Sequence, residues 1–331
     1  MAKISVITTF YNPSNTIIKA VDSVFNQSFL DYEHIIIDDG STDDSISLIK
    51  SNDSRIKLYE PGRIGRARAL NYAVEKSNGK YIAILDADDI YEFNKLDIQN
   101  KILDEREDLS LIYSNAKFIN SSGEYLGSSS YPSTHEGIKK FLMNLNPFPA
   151  STAMFRRKDW DEVGGYRIRC KKSLDYNLYL SFLLRGKKFF GVKEAISKIR
   201  ISSHSWGKND SEALQFKFGI IGLINFYIQN KLGCSSIYDF TDKEWDEFLI
   251  IFNKWFVFKK FLKKKKSKDK FNQSRLAIKK RNFSIFLIKL HESLILDPYT
   301  FFYKGIGFNY ERDILEFLLY FDKEHNKDFR N

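Results

Sequence analysis

The chain has 331 residues, a formal net charge of +10 and 43% hydrophobic residues, so it is long enough for one catalytic domain plus an appendage. Its two cysteines, Cys170 and Cys234, provide neither a disulfide framework nor the ligand spacing of a zinc site. No apolar stretch reaches the roughly 18–20 residues that are needed to cross a bilayer, so an integral membrane protein is not expected.

The first part of the chain alternates predicted strands and helices. Strands are expected near residues 3–9, 33–37, 55–59 and 80–85, and helices near residues 14–27, 43–51 and 65–77. Continuous apolar runs separated by helices indicate parallel strands that are covered on both faces. Ligands of such sheets bind at the carboxyl ends of the strands, so the residues that follow each strand are the first candidates for a site.

The first two predicted strands end in side chains that suit a nucleotide base. Thr8, Thr9 and Tyr11 lie at the end of the first strand, and Asp38 and Asp39 follow the second. An aromatic ring offers a face for stacking, and a carboxylate can accept a hydrogen bond from a ring N–H. Asp39 also begins an Asp-Gly-Ser-Thr sequence that is typical of a turn, and the two roles are compatible.

A run of carboxylates follows the fourth predicted strand. Asp86 and Asp88 are separated by one alanine, and Asp89 comes next. Acidic side chains this close repel one another unless a cation or several donors compensate. A hard divalent metal prefers carboxylate oxygens and often bridges them to substrate phosphates, which indicates a metal–diphosphate site. The alternative is an acidic turn that caps a helix starting near Phe93.

Four segments together carry a resemblance to a known family. They are Val-Ile-Thr-Thr-Phe-Tyr-Asn at residues 6–12, Ile-Asp-Asp-Gly-Ser-Thr-Asp at 37–43, Gly-Arg-Ala-Arg-Ala-Leu-Asn at 65–71, and Leu-Asp-Ala-Asp-Asp at 85–89. In order and spacing they resemble a family-2 glycosyltransferase. The resemblance implies the GT-A fold, an α/β architecture with a Rossmann-like, mostly parallel sheet flanked by helices. It also implies an inverting transfer of a sugar from a nucleotide-diphosphate donor.

The resemblance assigns the donor contacts residue by residue. Thr9 and Tyr11 would contact the base and Asp39 its ring N–H, with Thr8 also counted among the donor-binding residues. A carboxylate at this place favours uracil or thymine, which offer an N3–H donor. The expected donor is therefore a uridine-diphosphate sugar.

Two arginines on the third predicted helix are candidates for the donor diphosphate. The family usually carries a basic residue here, and guanidinium groups match phosphate geometry. Arg66 and Arg68 are two residues apart, so they point in different directions on a helix, and Arg66 is the preferred candidate. The alternative is a solvated helix face. No Gly-x-Gly-x-x-Gly sequence is present, which argues against a nicotinamide or flavin enzyme.

By the same resemblance Asp88 is the expected ligand of Mn²⁺ or Mg²⁺. Asp86 would bind the ribose or a metal-bound water. For Asp89 the alternative is a cap of the next helix, since Asp is a favoured N-cap residue. His204 is a further candidate near the metal or the diphosphate, against the alternative of a surface-loop histidine. The cation would neutralise the diphosphate as it leaves the sugar.

The catalytic base is expected in the second half of the domain. Short strands are predicted at residues 109–113 and 117–119, a strand at 147–155, and a helix from 156 that ends at 164–165. The family carries its base on a Glu-Asp pair at the start of the following helix, where this chain has Leu174 and Asp175. Asp175 is assigned as the base that takes the proton of an acceptor hydroxyl. The alternative is a simple N-cap behind Ser173.

The catalytic domain is expected over residues 1–210. Residues 211–331 are rich in basic and aromatic residues and are expected to be helical. Helices are predicted at 216–229, 245–261, 282–296 and 314–320, and a lysine-rich run at 259–270. Basic residues beside aromatic faces suggest an anionic membrane surface, where a lipid-linked saccharide acceptor would be found. A solvated basic loop is the alternative; nucleic acid is not expected, because no nucleic-acid-binding signature is present.

The first strand follows Met1 almost directly, without a signal-peptide pattern, which favours the cytoplasm, including a peripheral position on the inner face of the membrane. Two other functions stay open: a nucleotide-binding protein of the same fold without transferase activity, and a nucleotidyltransferase. A nucleotidyltransferase would carry a glycine-rich basic loop after the first strand, and residues 9–13 contain neither feature. A degenerate scaffold would have lost its acids, and Asp39, Asp88 and Asp175 are all present.

Overall fold

The structure is a computed structural model that describes residues 2–13, 16–49, 53–144, 148–201, 210–233, 235–253 and Phe317. The chain divides into two compact units, Met1–Phe226 and Tyr227–Asn331. The domain boundary expected after residue 210 stays a prediction. His204 and the lysine-rich run at 259–270 lie outside the described residues.

Within the described residues, the first unit is built on one sheet of nine strands, in the order β3-β2-β1-β4-β8-β6-β9-β5, with β7 paired to β6. The strands are β1 (Ile4–Phe10), β2 (Tyr32–Asp38), β3 (Ile56–Tyr59), β4 (Tyr81–Ile84), β5 (Ile90–Tyr91), β6 (Leu109–Ile119), β7 (Tyr125–Ser128), β8 (Met154–Arg156) and β9 (Lys188–Arg200). The helices are α1 (Thr16–Phe25), α2 (Ser45–Leu48), α3 (Arg66–Lys76), α4 (Lys95–Glu105), α5 (His135–Met143), α6 (Arg157–Val163), α7 (Leu174–Leu184) and α8 (Asp210–Leu232).

The first four strands form a parallel half-sheet. β1 lies between β2 and β4, with Ile4 opposite both Tyr32 and Tyr81, and β2 pairs with β3. Every residue of β2 is buried, which explains its continuous apolar run. The predicted mixed α/β fold is confirmed. Parallel pairing brings the carboxyl ends of β1, β2, β3 and β4 to one edge, where the candidate site lies.

The second half of the sheet differs from the sequence expectation in two places. Residues 109–113 and 117–119 were expected as separate strands, but β6 is continuous, because Asn115 stays in the sheet and its Nδ2 donates to the carbonyl oxygen of Lys193 at 2.7 Å. A strand was also expected over residues 147–155. Only Met154–Arg156 is a strand, because Ala150–Thr152 form a 3-10 turn in which the Thr152 Oγ1 donates to Pro149.

The second unit carries an aromatic cluster. Residues 242–253 are helical, and Trp245 packs against Tyr238 and Phe248, with ring centroids 5.8 and 5.6 Å apart. The helix predicted at 216–229 lies within α8. The helices predicted at 282–296 and 314–320 fall outside the described residues, apart from Phe317. In the part of the chain that is described, no helix is both long and apolar enough to cross a membrane.

Candidate active site at the carboxyl ends of the parallel strands

The loops after β1 and β2 are joined by side-chain to backbone hydrogen bonds. Asn12, in the left-handed region at φ 48°, donates its N–H to Ser41 Oγ at 3.0 Å, and its Oδ1 accepts from the Thr42 N–H at 2.8 Å. The Asp38 carboxylate accepts from the Ser41 N–H at 2.9 Å, which shapes the turn after β2. These contacts fix the loop that presents the Tyr11 ring to solvent.

Asp39 fixes a third loop, the one that leads into α3. Its buried carboxylate accepts from the backbone N–H groups of Ile64 and Gly65, both at 2.8 Å to Oδ1. Its Oδ2 accepts from Arg63 Nη1 at 2.7 Å. The Arg63 guanidinium carbon lies 3.6 Å from the centre of the Tyr11 ring. The two side chains predicted to contact a base therefore meet here, with the Arg63 side chain between them.

The two threonines predicted beside them differ in exposure. Thr8 is fully buried, and its hydroxyl lies 2.9 Å from His34 Nε2 between β1 and β2. Burial lowers the pKa of His34 to about 3, so this pair is neutral at physiological pH. The Thr8 side chain thus lies in the core and does not face the cleft, whereas Thr9 is partly exposed at the end of β1.

The acidic turn after β4 is held by residues from distant parts of the chain. The Asp86 N–H donates to Ser151 Oγ at 2.9 Å, and this hydroxyl donates to Asp89 Oδ2 at 2.5 Å. Asp89 Oδ1 accepts from the backbone N–H of Arg200 at 2.9 Å. The expectation that Asp89 caps the next helix is wrong, because α4 begins at Lys95 and Asp89 is bound to Ser151 and β9 instead.

Crowding raises the pKa values of this turn. Burial raises the pKa of Asp89 well above its ordinary value, and the neighbouring Asp88 and Asp86 add to the effect. The pKa of Asp88 is also raised, by burial and by Asp86, while Arg66 and Arg200 oppose the shift. Arg200 donates from Nε to the Asp88 carbonyl oxygen at 2.9 Å. Two adjacent carboxylates held this way are stabilised by any cation that reaches them.

Arg66 forms an ion pair with this turn. It is the first residue of α3, and its Nη2 lies 2.6 Å from Asp86 Oδ1, with the side chain about half exposed. The pKa of Arg66 is raised by Asp86 first, and further by Asp175 and other acidic groups, so it stays charged. Arg68 lies on the exposed face of α3, and no ion pair joins it to these carboxylates in the described residues.

Asp175 completes the cluster from the first turn of α7. Its pKa is raised to about 6, mainly by burial and also by Asp86, while Arg66 and the nearby Tyr166 hydroxyl oppose the shift. Among the described residues, none provides a hydrogen-bond partner for its buried Oδ1 atom. Ser173, the residue that precedes α7, instead donates its hydroxyl to the Gln215 carbonyl oxygen at 2.6 Å. The arrangement places a carboxylate that can accept a proton beside the acidic turn.

Tyr166 is positioned by α3. Asn71 Nδ2 donates to the Tyr166 carbonyl oxygen, and the Tyr166 N–H donates to Asn71 Oδ1, both at 2.9 Å. Neither residue had a predicted role in the site. Ser151 and Arg200 were also missed, because both act through contacts more than 60 residues away in sequence.

The acidic turn offers carboxylate oxygens, the type of ligand that a hard divalent metal prefers. The described residues contain no group of three His, Cys, Asp or Glu side chains that could hold a metal by itself. Asp86 and Asp88 provide two carboxylates, which is the donor set that Mg²⁺ or Mn²⁺ takes when substrate phosphates and waters supply its other ligands. The residues therefore fit a metal that is shared with a diphosphate.

Comparison with known proteins identifies relatives of this chain. The family profile described as glycosyl transferase family 2 matches residues 5–165. An uncharacterised glycosyltransferase of Haemophilus influenzae is 31% identical over 247 residues, which cover 72% of this chain and 94% of that protein. An uncharacterised glycosyltransferase of Rickettsia bellii is 32% identical over 235 residues. Those residues cover 69% of this chain but only 33% of the Rickettsia protein, so the matched region is about a third of that relative's length.

Solved structures share the fold. S. aureus TarS 1–349 in complex with UDP-GlcNAc superposes with a TM-score of 0.55 at 15% identity, over 87% of this chain and 90% of that one. A mannosyltransferase of Pyrobaculum calidifontis in complex with GDP-Man and Mn²⁺ gives a TM-score of 0.52 at 18% identity, over 71% and 65%. At these identities the likeness concerns the fold alone.

Proposed function

Because the chain belongs to glycosyl transferase family 2, we propose that it moves a sugar from a nucleoside-diphosphate donor to an acceptor hydroxyl with inversion. The observation that carries this proposal is the convergence of Asp86, Asp88 and Asp175 on one arginine, Arg66. A cation between an acidic turn and a lone proton acceptor is what a reaction needs when a diphosphate leaves and a hydroxyl attacks.

Uridine diphosphate is the proposed carrier. Support comes from the exposed Tyr11 ring beside the Asp39 carboxylate, which suit a base with a ring N–H. The two solved structures with the same fold carry different bases, since TarS was solved with UDP-GlcNAc and the mannosyltransferase with GDP-Man. Fold similarity therefore does not decide the base, and the choice rests on the chemistry of these two side chains.

The proposed reaction is a single displacement. With a pKa of about 6, Asp175 is mostly ionised at neutral pH and can accept the proton of an acceptor hydroxyl. The hydroxyl oxygen bonds to the anomeric carbon on the face opposite the diphosphate. The bond from that carbon to the phosphate oxygen breaks, and its electron pair leaves with the nucleoside diphosphate.

Positive charge near the leaving group comes from two sources in this proposal. Asp88, with Asp86, would hold Mn²⁺ or Mg²⁺, which when bound neutralises charge on the departing diphosphate. Arg66 adds a fixed positive charge at the same turn, bound to Asp86 at 2.6 Å. The proposed acceptor is a saccharide or lipid-linked saccharide, reached from the inner face of a membrane, which rests on the basic and aromatic composition of residues 211–331.

Donor-dependent release of UDP tests the proposal, with Asp88→Ala compared to the wild type. We expect the variant to release UDP about 100-fold more slowly, because charge on the leaving diphosphate is no longer compensated. Asp97→Ala is the matched control, since Asp97 is an exposed acid on α4, and it should release UDP at the wild-type rate.

Other results of this assay would lead to different conclusions about the function. Equal release by the Asp88→Ala variant and the wild type would remove the assigned role of Asp88. Donor binding without release of UDP would favour a nucleotide-binding protein that lacks transferase activity. Release of pyrophosphate from a nucleoside triphosphate and a sugar 1-phosphate, with no release of UDP from the nucleotide sugar, would favour a nucleotidyltransferase.

A further inference from the structure

The Arg63 side chain lies between the two groups assigned to the donor base. Its guanidinium carbon is 3.6 Å from the centre of the Tyr11 ring, and Nη1 is 2.7 Å from Asp39 Oδ2. The same nitrogen also donates to the Asp39 backbone carbonyl at 3.0 Å. Arg63 therefore already makes a stacking contact and a hydrogen bond to a carboxylate.

The base-binding slot is the space between the Tyr11 ring and the Asp39 carboxylate. A guanidinium group and a pyrimidine can compete for it because both are flat and both present N–H donors. A guanidinium stacks on an aromatic face, and it forms short charge-assisted hydrogen bonds to carboxylates. Uracil stacks in the same way, and its N3–H can donate to a carboxylate. With Arg63 in place, Asp39 Oδ2 is bound and one face of the Tyr11 ring is covered.

The backbone around the slot is fixed, whereas the arginine side chain can leave it. Asp39 Oδ1 holds the N–H groups of Ile64 and Gly65. A Cβ atom on Gly40, which has φ +79°, would lie 2.9 Å from the Arg63 backbone nitrogen, so the two loops are in close contact. The Arg63 side chain itself is 56% exposed, against 5% for Asp39. Its guanidinium can therefore rotate into solvent without movement of the loop.

We propose that the Arg63 guanidinium occupies the base-binding slot when no donor is bound, and that the donor base displaces it. Arg63 then lowers donor affinity, because the contacts to Tyr11 and Asp39 must break before the base can enter. It also sharpens base selection, since only a base that replaces both the stacking contact and the hydrogen bond to Asp39 compensates for the loss. This inference rests on the proposed function.

Isothermal titration calorimetry tests this proposal. UDP is titrated into the wild type and into the Arg63→Gln variant, with Mg²⁺ present. The variant should bind UDP roughly fivefold more tightly, since an ion pair and a cation–π contact made by a half-exposed arginine each contribute modestly. Arg106→Gln is the matched control, because Arg106 forms an exposed pair with Asp108 just after the end of α4, and its UDP affinity should equal that of the wild type.

Inorganic pyrophosphate separates competition in the base slot from a general change of charge. Pyrophosphate has no base, so Arg63→Gln should bind it no more tightly than the wild type does. The Arg63→Lys variant keeps the charge but lacks the flat group, and it should bind UDP with an affinity between those of the wild type and the glutamine variant. Thermal unfolding of all the variants checks that the loop stays folded.

The outcomes distinguish this inference from the proposed function. If Arg63→Gln binds UDP as the wild type does, or more weakly, Arg63 does not compete with the base and the inference is overturned. A gain for pyrophosphate equal to the gain for UDP would also overturn it. If neither protein binds UDP or another nucleoside diphosphate, the proposed donor class itself fails.

Discussion

At the scale of single residues, Arg66 affects the ionisation of the site carboxylates more than it affects the stability of the fold. An ion pair with a half-exposed arginine contributes only about 0–1 kcal/mol to folding. The same charge lowers the pKa of both Asp88 and Asp175, against the burial that raises them. Arg66 thus keeps a buried carboxylate ionised near neutral pH, as a general base requires.

Replacement of Arg66 by glutamine should shift the pH profile of the reaction. Loss of the positive charge raises the pKa of Asp175 above about 6, because the ionised carboxylate loses a favourable neighbour. The acidic limb of kcat/KM should therefore move to higher pH, by about one unit. Initial rates from pH 5 to pH 9 measure it, with Arg106→Gln as the control. An unchanged limb would mean that Asp175 is not the titrating base.

Sequence patterns point to some residues of the candidate site and miss others, for a physical reason. Asp88 and Asp175 follow short local patterns, a strand end and a helix start, which a sequence displays directly. Arg63 bonds a residue 24 positions away and Ser151 bonds one 62 positions away, and no local pattern encodes such pairs. Thr8 was predicted to bind the donor, but its side chain is buried in the core. Its position near the end of a strand does not reveal which face of the sheet the side chain lies on.

At the scale of elements, the end of α6 determines where the next segment enters the site. Gly164 ends the helix in the left-handed region at φ 76°. Gly165 follows with φ +70°, and a Cβ atom there would lie 2.6 Å from Trp160 Cζ2 and 2.9 Å from Asn71 Oδ1. Only glycine fits this place, and it lets Tyr166 pair with Asn71 on α3.

Substitution of Gly165 by alanine should destabilise the protein more than the same change at Gly186. Both glycines have positive φ, but a Cβ atom at Gly186 would have no neighbour within 4 Å. We expect a loss of about 1–2 kcal/mol at Gly186 from backbone strain alone, and about 2–5 kcal/mol at Gly165, where overpacking adds to it. Urea unfolding measures both, and equal losses would contradict the close packing against Trp160.

The elements themselves were predicted best where burial is uniform. The parallel strands β1, β2 and β4 have continuous apolar runs that leave little choice of structure. The errors fall where polar residues enter the sheet, as at Asn115 in β6, or where a turn interrupts an apolar run, as at Ala150–Thr152. Side-chain hydrogen bonds to distant backbone decide those places, and local propensity does not record them.

At the scale of the whole molecule, the fold does not determine the substrate. A solved structure can share the fold with a TM-score of 0.55 at 15% identity, so the sheet tolerates wide sequence change. The reaction then depends on side chains at one edge of that sheet. Several of these side chains are buried acids, and burial of charge makes the site costly to the folded state.

The cost of the site can be measured as a pH-dependent gain in stability for Asp175→Asn. The folded-state pKa of Asp175, about 6, lies above its ordinary value of 3.8, so the folded protein binds this proton more tightly than the unfolded chain does. The Asp175 side chain therefore lowers stability as pH rises from about 4 to about 6, and the full penalty persists above that range. At pH 8 the asparagine variant should be more stable than the wild type by about 1–3 kcal/mol.

Urea unfolding at pH 4.5 and pH 8 measures this difference, with Asp97→Asn on the exposed face of α4 as the control. The advantage of Asp175→Asn should be small at pH 4.5, where the wild-type carboxyl is protonated in the folded protein. A variant that is inactive and yet more stable at pH 8 would show that the carboxylate is kept for chemistry at the expense of folding. A variant that is less stable at pH 8 would instead show that the ionised carboxylate holds the structure together, and Asp175 would lose its assignment as the base.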